Sequence, residues 1–510
     1  MKVALTPLDF LERARRLYGP LEAVVDGERR VDYTTFVGRA HRLGHLLVDE
    51  LGVQPGDRVA YLCANTLELL EAYYGVLLAG AVLTPLNIRL SRPELQQIVE
   101  DCDARVLVMH PSLAALAPTT ASGTTVVIGP DYEAALGRQP ASLVDPGPID
   151  EDAVCELFYT SGSTGEPKGA MLSHRALATH ALDAALTMGV GHRDVVLHTI
   201  ALFHVNGWGT PHWVTALGGR HVMLDRFDAG EVLRLIEAEG VTRLHLVPTM
   251  ASLLLVHPDV GRRDLSSLVQ ATVGGAPAGP ELLADLEATF RCEVISGYGL
   301  TEASPQLTKA VTLRSHDGLP EAEQRRRRAT TGLPNVGVDL RVFDGNDQEV
   351  PRDGATAGEI CVRSNHVMIG YWNRPTETAE ALAGGWLRTG DIATVDAEGY
   401  ITIVDRKKDV IVSGGENISS VQVEHALCAH PAILEAAVIG MADERWGEVP
   451  RAFVALRPGV AAPTTDDLRA FVAERLAKFK VPARIDILPE LPKGGTGKIQ
   501  KSLLRSREDA

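Results

Sequence analysis

Short apolar runs alternate with stretches of helical apolar period through most of the first 400 residues, and this alternation is what most limits the fold. Residues 104–109 (ARVLVM), 124–128 and 241–247, the last ending at Pro248, read as short buried strands. Residues 39–51 read as a helix with Leu43, Leu46, Leu47 and Leu51 on one face. Such alternation predicts an α/β protein with largely parallel sheets. Beyond Pro334 the pattern changes. Strand-like segments at 339–344 and 359–363, broken by Gly345-Asn346-Asp347, suggest a barrel-like or meandering β unit. Near Asp405 the pattern resets. An apolar strand at 409–412 precedes Ser413-Gly414-Gly415-Glu416-Asn417, and Ser419 or Ser420 can cap a helix through Ala429. Strands follow at 436–441 and 451–456. Thr464 or Thr465 then opens a helix with Leu468, Phe471, Val472 and Leu476 on one face. The expected architecture is a large N-terminal domain (1–404) of α/β subdomains plus a small β-barrel-like unit. A small α/β C-terminal domain (405–510) completes it.

Composition removes several function classes. Apolar residues make up 45% and charged residues 23%, which excludes disorder across the chain. The net charge of −16 disfavours a general nucleic-acid or anionic-membrane binder. Arg325-Arg326-Arg327-Arg328 is the exception, and it reads as the solvated face of a connecting helix. The most apolar stretch, 72–86, contains Gly75, Gly80 and Pro85 and is too short to span a bilayer of ~20 residues, so it reads as buried core. Six scattered cysteines without C-x-x-C spacing point to a reducing compartment rather than to zinc or disulfides. The N-terminus holds no apolar core for a signal peptide. Together these predict a cytoplasmic protein without membrane insertion.

The richest local feature is Tyr159-Thr160-Ser161-Gly162-Ser163-Thr164-Gly165-Glu166-Pro167-Lys168-Gly169. An apolar strand at 154–159 leads into it, and a helix capped by Ser173 is expected to follow. Three glycines allow close backbone approach to an anion, the hydroxyls and N–H groups can cradle phosphate oxygens, and Lys168 adds a point charge. It is not a Walker loop, because Lys168 follows Pro167 and precedes Gly169. This segment resembles the phosphate loop of the adenylate-forming superfamily, whose members include acyl-CoA synthetases, adenylation domains of nonribosomal peptide synthetases and beetle luciferases.

Four further motifs match that family in order. Gly274-Gly275-Ala276-Pro277 resembles its adenine-pocket segment. In Ser296-Gly297-Tyr298-Gly299-Leu300-Thr301-Glu302 the resemblance implies that Tyr298 stacks on adenine between Gly297 and Gly299, that Thr301 contacts phosphate, and that Glu302, with Thr160, helps hold Mg²⁺. Alone, Tyr298 would read as a packed core tyrosine. In Trp386-Leu387-Arg388-Thr389-Gly390-Asp391 the acid implied for the ribose hydroxyls is Asp391. In Asp405-Arg406-Lys407-Lys408-Asp409, Asp405 is the implied hinge and Arg406 a ribose contact. Finally, Leu491-Pro492-Lys493-Gly494-Gly495-Thr496-Gly497-Lys498-Ile499 resembles the C-terminal motif whose last lysine, here Lys498, bridges the substrate carboxylate and the α-phosphate. The family usually has hydroxyl residues where Gly494 and Gly495 stand. The resemblance spans residues 159–498.

The reaction so implied has two halves. A carboxylate attacks the α-phosphorus of ATP, and a nucleophile then displaces AMP. The family's small domain is mobile and rotates between the two. Its second pose would bring Lys408, Ser413, Gly414, Gly415 and Glu416 to CoA. The segment Phe203-His204-Val205-Asn206-Gly207-Trp208 resembles the acyl-pocket run of fatty acyl-CoA synthetases, in which the tryptophan gates a tunnel. His204, Val205, Asn206, Gly207, Trp208 and Gly299 are therefore the expected acyl pocket, with His204 also counted among the catalytic groups beside Thr160, Glu302 and Lys498. Amino-acid-activating relatives carry an aspartate at the place of His204, so an α-amino acid is disfavoured. His212 and Trp213 read as structural. The chain ends soon after Lys498, with no appended carrier or condensation domain, which favours CoA as the nucleophile. The expected activity is ATP-, Mg²⁺- and CoA-dependent ligation of a medium-chain fatty or arylalkanoic acid. Transfer to an amine or to a carrier protein is the alternative, a scaffold without turnover a third reading, and a homodimer is left open.

Overall fold

The computed structural model describes residues 2–140, 142–161, 167–407, 409–414, 416–443, 445–494 and 498–505, with only the backbone of Ser161 and Asn417. Among the described residues the strands form four sheets. One has nine strands. Its central part is parallel: Val195–Leu197, Arg243–Leu246, Gln270–Gly274 and Glu293–Gly299 lie side by side, and Gln306–Lys309 closes antiparallel on the last. A seven-stranded sheet carries Arg58–Leu62, Val82–Pro85, Ala104–Met109 and the hairpin Val154–Ser161/Pro167–Ser173. A four-stranded antiparallel sheet runs Val338–Phe343, Gly358–Ser364, Leu387–Val395, Ile401–Arg406. The fourth sheet, built on Ile433–Asp443 and Gly447–Leu456, belongs to the C-terminal part and has its own apolar core of Ile411, Val423, Leu427, Val438, Val454, Leu468 and Val472. The α/β character expected from the alternation is present throughout.

Local rules place many of the elements. Ser173 caps His174–Met188 by accepting from the Ala176 N–H at 3.1 Å. Ser419 caps Ser420–Cys428, and Thr464 with Asp467 forms a capping box on Thr465–Ala473. The segment 72–86 is indeed core: every residue of Leu67–Leu78 is buried, and so is Val82–Pro85. Among the described residues no helix is long and apolar enough to cross a membrane. The four arginines lie on Glu321–Arg328, a helix with no buried residue, and three of them pair with Glu321, Glu398 and Glu287.

One expectation differs from the fold. Residues 39–51 do not form one helix: an α-helix, Tyr33–His45, passes into a π-turn, Leu46–Glu50. The helix capped by Ser173 follows the glycine-rich loop as expected. Strand Pro167–Ser173 comes between, pairing Thr160 with Lys168 across a hairpin. Gly162, Ser163, Thr164 and Gly165, between the two paired strands in sequence, lie outside the described residues, as do Lys408 and Gly415.

Candidate active site

Three strand ends converge beside the hairpin. Gly370–Tyr371 pairs with Pro167–Ser173, so that Tyr371 stands opposite Ala170. Its phenol donates to Glu302 Oε1 at 2.8 Å, and Lys168 Nζ sits 5.6 Å from its ring centroid. The Met368 N–H donates to the Glu302 carbonyl at 2.8 Å. Tyr371 thus ties Lys168 to Glu302. Sequence inspection missed it, because nothing local distinguishes Gly370-Tyr371 from an ordinary turn.

A second cluster forms around Asp391, which is buried on Leu387–Val395. The Tyr298 phenol donates to Asp391 Oδ2 at 2.6 Å, and Arg406 Nε lies 3.2 Å from Asp391 Oδ1. Burial, with the neighbouring Asp391 carboxylate, pushes the Tyr298 phenol far above its ordinary range, so it remains a donor. Both Asp391 oxygens are therefore already engaged. Thr301 is buried, while Ala276 and Pro277 are exposed at the rim.

The third group comes from the C-terminal part. A Cβ built on Gly275 would stand 3.1 Å from Lys498 Cε, 3.3 Å from Val247 Cγ1 and 3.5 Å from the Trp208 indole. One on Gly274 would meet Trp208 Cη2 at 3.2 Å and the Gly297 carbonyl oxygen at 2.9 Å. Only bare backbone lets the indole and the lysine lie this close. Burial, and then the Arg406 guanidinium, pull the Lys498 ammonium down to about 8, while Asp391 and Glu302 oppose the shift. Burial, with Lys498 second, lowers His204 to about 3, so its imidazole is neutral. The structure thus brings Lys498, Trp208, Gly275, His204, Arg406, Asp391 and Glu302 into one neighbourhood.

Trp208 is presented by an unusual turn. Val205, Asn206, Gly207, Trp208 and Gly209 all have positive φ, from 35° to 82°. Each non-glycine residue there costs about 1–2 kcal/mol relative to a right-handed turn. A buried anchor offsets that strain. Asn206 Nδ2 donates to Glu156 Oε2 at 3.0 Å, and His212 Nε2 lies 2.8 Å from Glu156 Oε1. Asn206 is fully buried, and its bond to Glu156 holds the turn from beneath. Val205 and Gly207 are buried too. His212 and Trp213 are core residues, as expected.

Asp405 is buried near the end of Ile401–Arg406, the edge strand of the four-stranded sheet. Its two oxygens accept from the Arg406 N–H (2.8 Å) and the Ser420 N–H (2.6 Å), joining that strand to the next helix. Ser413, Gly414 and Glu416 form a separate hairpin, where the Gly414 N–H donates to the Trp446 carbonyl at 2.7 Å.

Residues 11–372 match the model of the AMP-binding enzyme family, and residues 422–498 match that family's C-terminal domain. The chain belongs to the AMP-binding enzymes, the adenylate-forming superfamily. It is 38% identical to a feruloyl-CoA synthase of Amycolatopsis sp., over 97% of both chains. It is equally 38% identical to a long-chain-fatty-acid–CoA ligase of Thermus thermophilus, over 98% of this chain and 95% of that one. Among solved structures, an anthranilate CoA ligase bound to anthranoyl-AMP superposes with a TM-score of 0.91 at 28% identity, covering 99% and 98% of the two chains. An amide bond synthetase of Marinactinospora thermotolerans superposes at 0.86, with 29% identity and 98% and 99% coverage.

The anchor beneath the turn can be tested directly. Glu156→Ala leaves Asn206 and His212 without their buried partner. It should cost about 2–4 kcal/mol, read as a lowered denaturation midpoint, with Glu156→Gln losing less. A loss below about 1 kcal/mol would contradict the anchoring role.

Proposed function

We propose that this AMP-binding enzyme is an acid–CoA ligase acting on a medium-chain fatty or arylalkanoic acid. The observation that carries the reading is Lys498, seated against Gly275 and Trp208 beside Glu302, Asp391 and Arg406. The named CoA ligases among the relatives support CoA as the acceptor. Their acids range from feruloyl to long-chain fatty, so they leave acid size open.

In this reading the glycine-rich segment after Thr160 and Ser161, with Lys168, receives the ATP phosphates. Tyr298 and Gly297 to Gly299 face adenine beside Gly275, Ala276 and Pro277, and Asp391 exchanges its Tyr298 and Arg406 partners for ribose hydroxyls. Thr301 adds a phosphate contact. The acid lies between neutral His204 and Trp208, with Val205, Gly207 and Gly299 shaping the entrance. An uncharged imidazole lets a carboxylate approach without trapping it as an ion pair. The carboxylate oxygen attacks the α-phosphorus, pyrophosphate leaves, and the Lys498 ammonium stabilises the charge gathered between them. A CoA thiol then attacks the acyl carbonyl, and AMP departs.

Among the described residues no group of three His, Cys, Asp or Glu could hold a metal by itself. One carboxylate with substrate phosphates is, however, a usual Mg²⁺ arrangement, and Glu302 with Thr160 suits it. Bound there, the cation would neutralise phosphate charge. Asp405 serves as hinge between domains 1–404 and 405–510. Rotation there would present Ser413, Gly414 and Glu416, with Lys408 and Gly415, to CoA.

AMP release with a panel of carboxylic acids, products identified by mass spectrometry, tests the assignment. CoA-dependent thioester is the expected product. Adenylate accumulating with CoA present, or amide formed with an added amine, would overturn it in favour of another acceptor. The lysine also predicts a pH profile. Its cation is present below its pKa and lost above it, so kcat/KM for ATP should fall as pH rises beyond about 8. Lys498→Arg should move that limb upward; an unchanged limb would exclude Lys498 as its source.

A further inference from the structure

Lys309 is 1% exposed, and its Nζ has no hydrogen-bond partner among the described residues. An unpaired amine in a protein interior costs several kcal/mol. Each titratable or charged group around it is occupied or cannot serve. Asp183, on the facing helix His174–Met188, accepts from Thr187 and Asn335. Glu293 accepts from Gln270, and Arg243 is held by Asp194, Gln270 and the Met188 carbonyl. His180 Nε2 accepts from the Gln306 N–H, and His245 packs edge-on against Trp208 and Trp213. Burial, then Arg243, lowers Lys309 to about 7, but it remains a hydrogen-bond donor in either charge state.

Its position in the sheet gives it a direction. Gly274 pairs with Gly297, and Gly297 with Lys309, so the three form one row across neighbouring strands and face the same side. Trp208 lies over the first of them, and Lys498 reaches the adjoining Gly275. No side chain rises from the row at its two glycines, and the Gln306 amide nitrogen lies 3.5 Å from a Cβ built on Gly297, between the indole and the lysine. At about 4.8 Å per strand, Gly274 and Lys309 are roughly 10 Å apart, the span of a small arylalkanoic acid.

We propose that Lys309 is a specificity-determining residue that hydrogen-bonds an oxygen at the far end of the acid, opposite the carboxylate activated at Lys498. The favoured substrates are arylalkanoic acids tipped with a hydroxyl or a second carboxylate, not plain hydrocarbon acids. This rests on the acid-activating reading above and narrows its substrate. A site built around such a donor discriminates strongly, because an acid lacking the oxygen leaves the buried amine unpaired.

The test compares phenylpropanoate with its para-hydroxy and para-carboxy analogues, in wild type and Lys309→Met, by pyrophosphate release without CoA. Wild type should favour at least one oxygen-tipped acid by about 10-fold or more in kcat/KM. Lys309→Met should bring that ratio near one while keeping or raising the rate with phenylpropanoate. Because it removes an unpaired buried amine, the variant should melt no lower than wild type. Preference for hydroxyl or for carboxylate tells which oxygen the site takes. An unchanged ratio in Lys309→Met, a wild type that prefers phenylpropanoate, or one that activates none of the three would overturn the proposal. Because CoA is absent, a wrong acceptor assignment leaves this result intact.

Discussion

The close approach of Lys498 and Trp208 to the bare backbone at Gly274 and Gly275 is the contact around which the molecule is arranged. It needs three things at once. The strand Gln270–Gly274 must end in glycines, the tryptophan must be held inward, and the small domain must dock so that its Lys493–Ile499 bridge lies over the large one. A Cβ at Gly275 would crowd Lys498 Cε and Val247 Cγ1 and touch the indole. The same closeness lowers the lysine's affinity for its proton, since burial and Arg406 act together.

Holding the tryptophan there has its own requirement. Consecutive left-handed residues would unwind if unsupported, and the support is a glutamate inside a strand, bonded on both oxygens within the core. Strain at the surface of the cleft is thus balanced by a satisfied polar group below it. That group lies on Val154–Ser161, the strand that carries Thr160 into the hairpin with Pro167–Ser173.

Features governed by neighbours in sequence were legible. Ser173, Ser419 and Thr464 cap their helices because capping needs only a side-chain oxygen and the N–H two or three residues on. The motif residues Tyr298, Asp391 and Arg406 meet, although no spacing rule predicts contact between positions so far apart. What remained hidden depends on partners from remote segments. Pro167–Ser173 is a strand because Val154–Ser161 pairs with it; its own residues show little alternation. Tyr371 matters only through the strand it pairs with, and Asn206 faces the core because the turn that carries it is left-handed. Glu156 did leave a trace: it is a charged residue within an apolar strand, which calls for a partner.

The central claim is that Lys498 serves acid activation specifically, from the docked position described. The most direct measurement uses Lys498→Ala in two assays: formation of acyl-adenylate from acid and ATP, and thioester formation from preformed acyl-adenylate and CoA. The account predicts that the first falls by about 10²-fold or more, while the second stays within a few-fold of wild type. Equal loss in both assays, or full retention of the first, would contradict it.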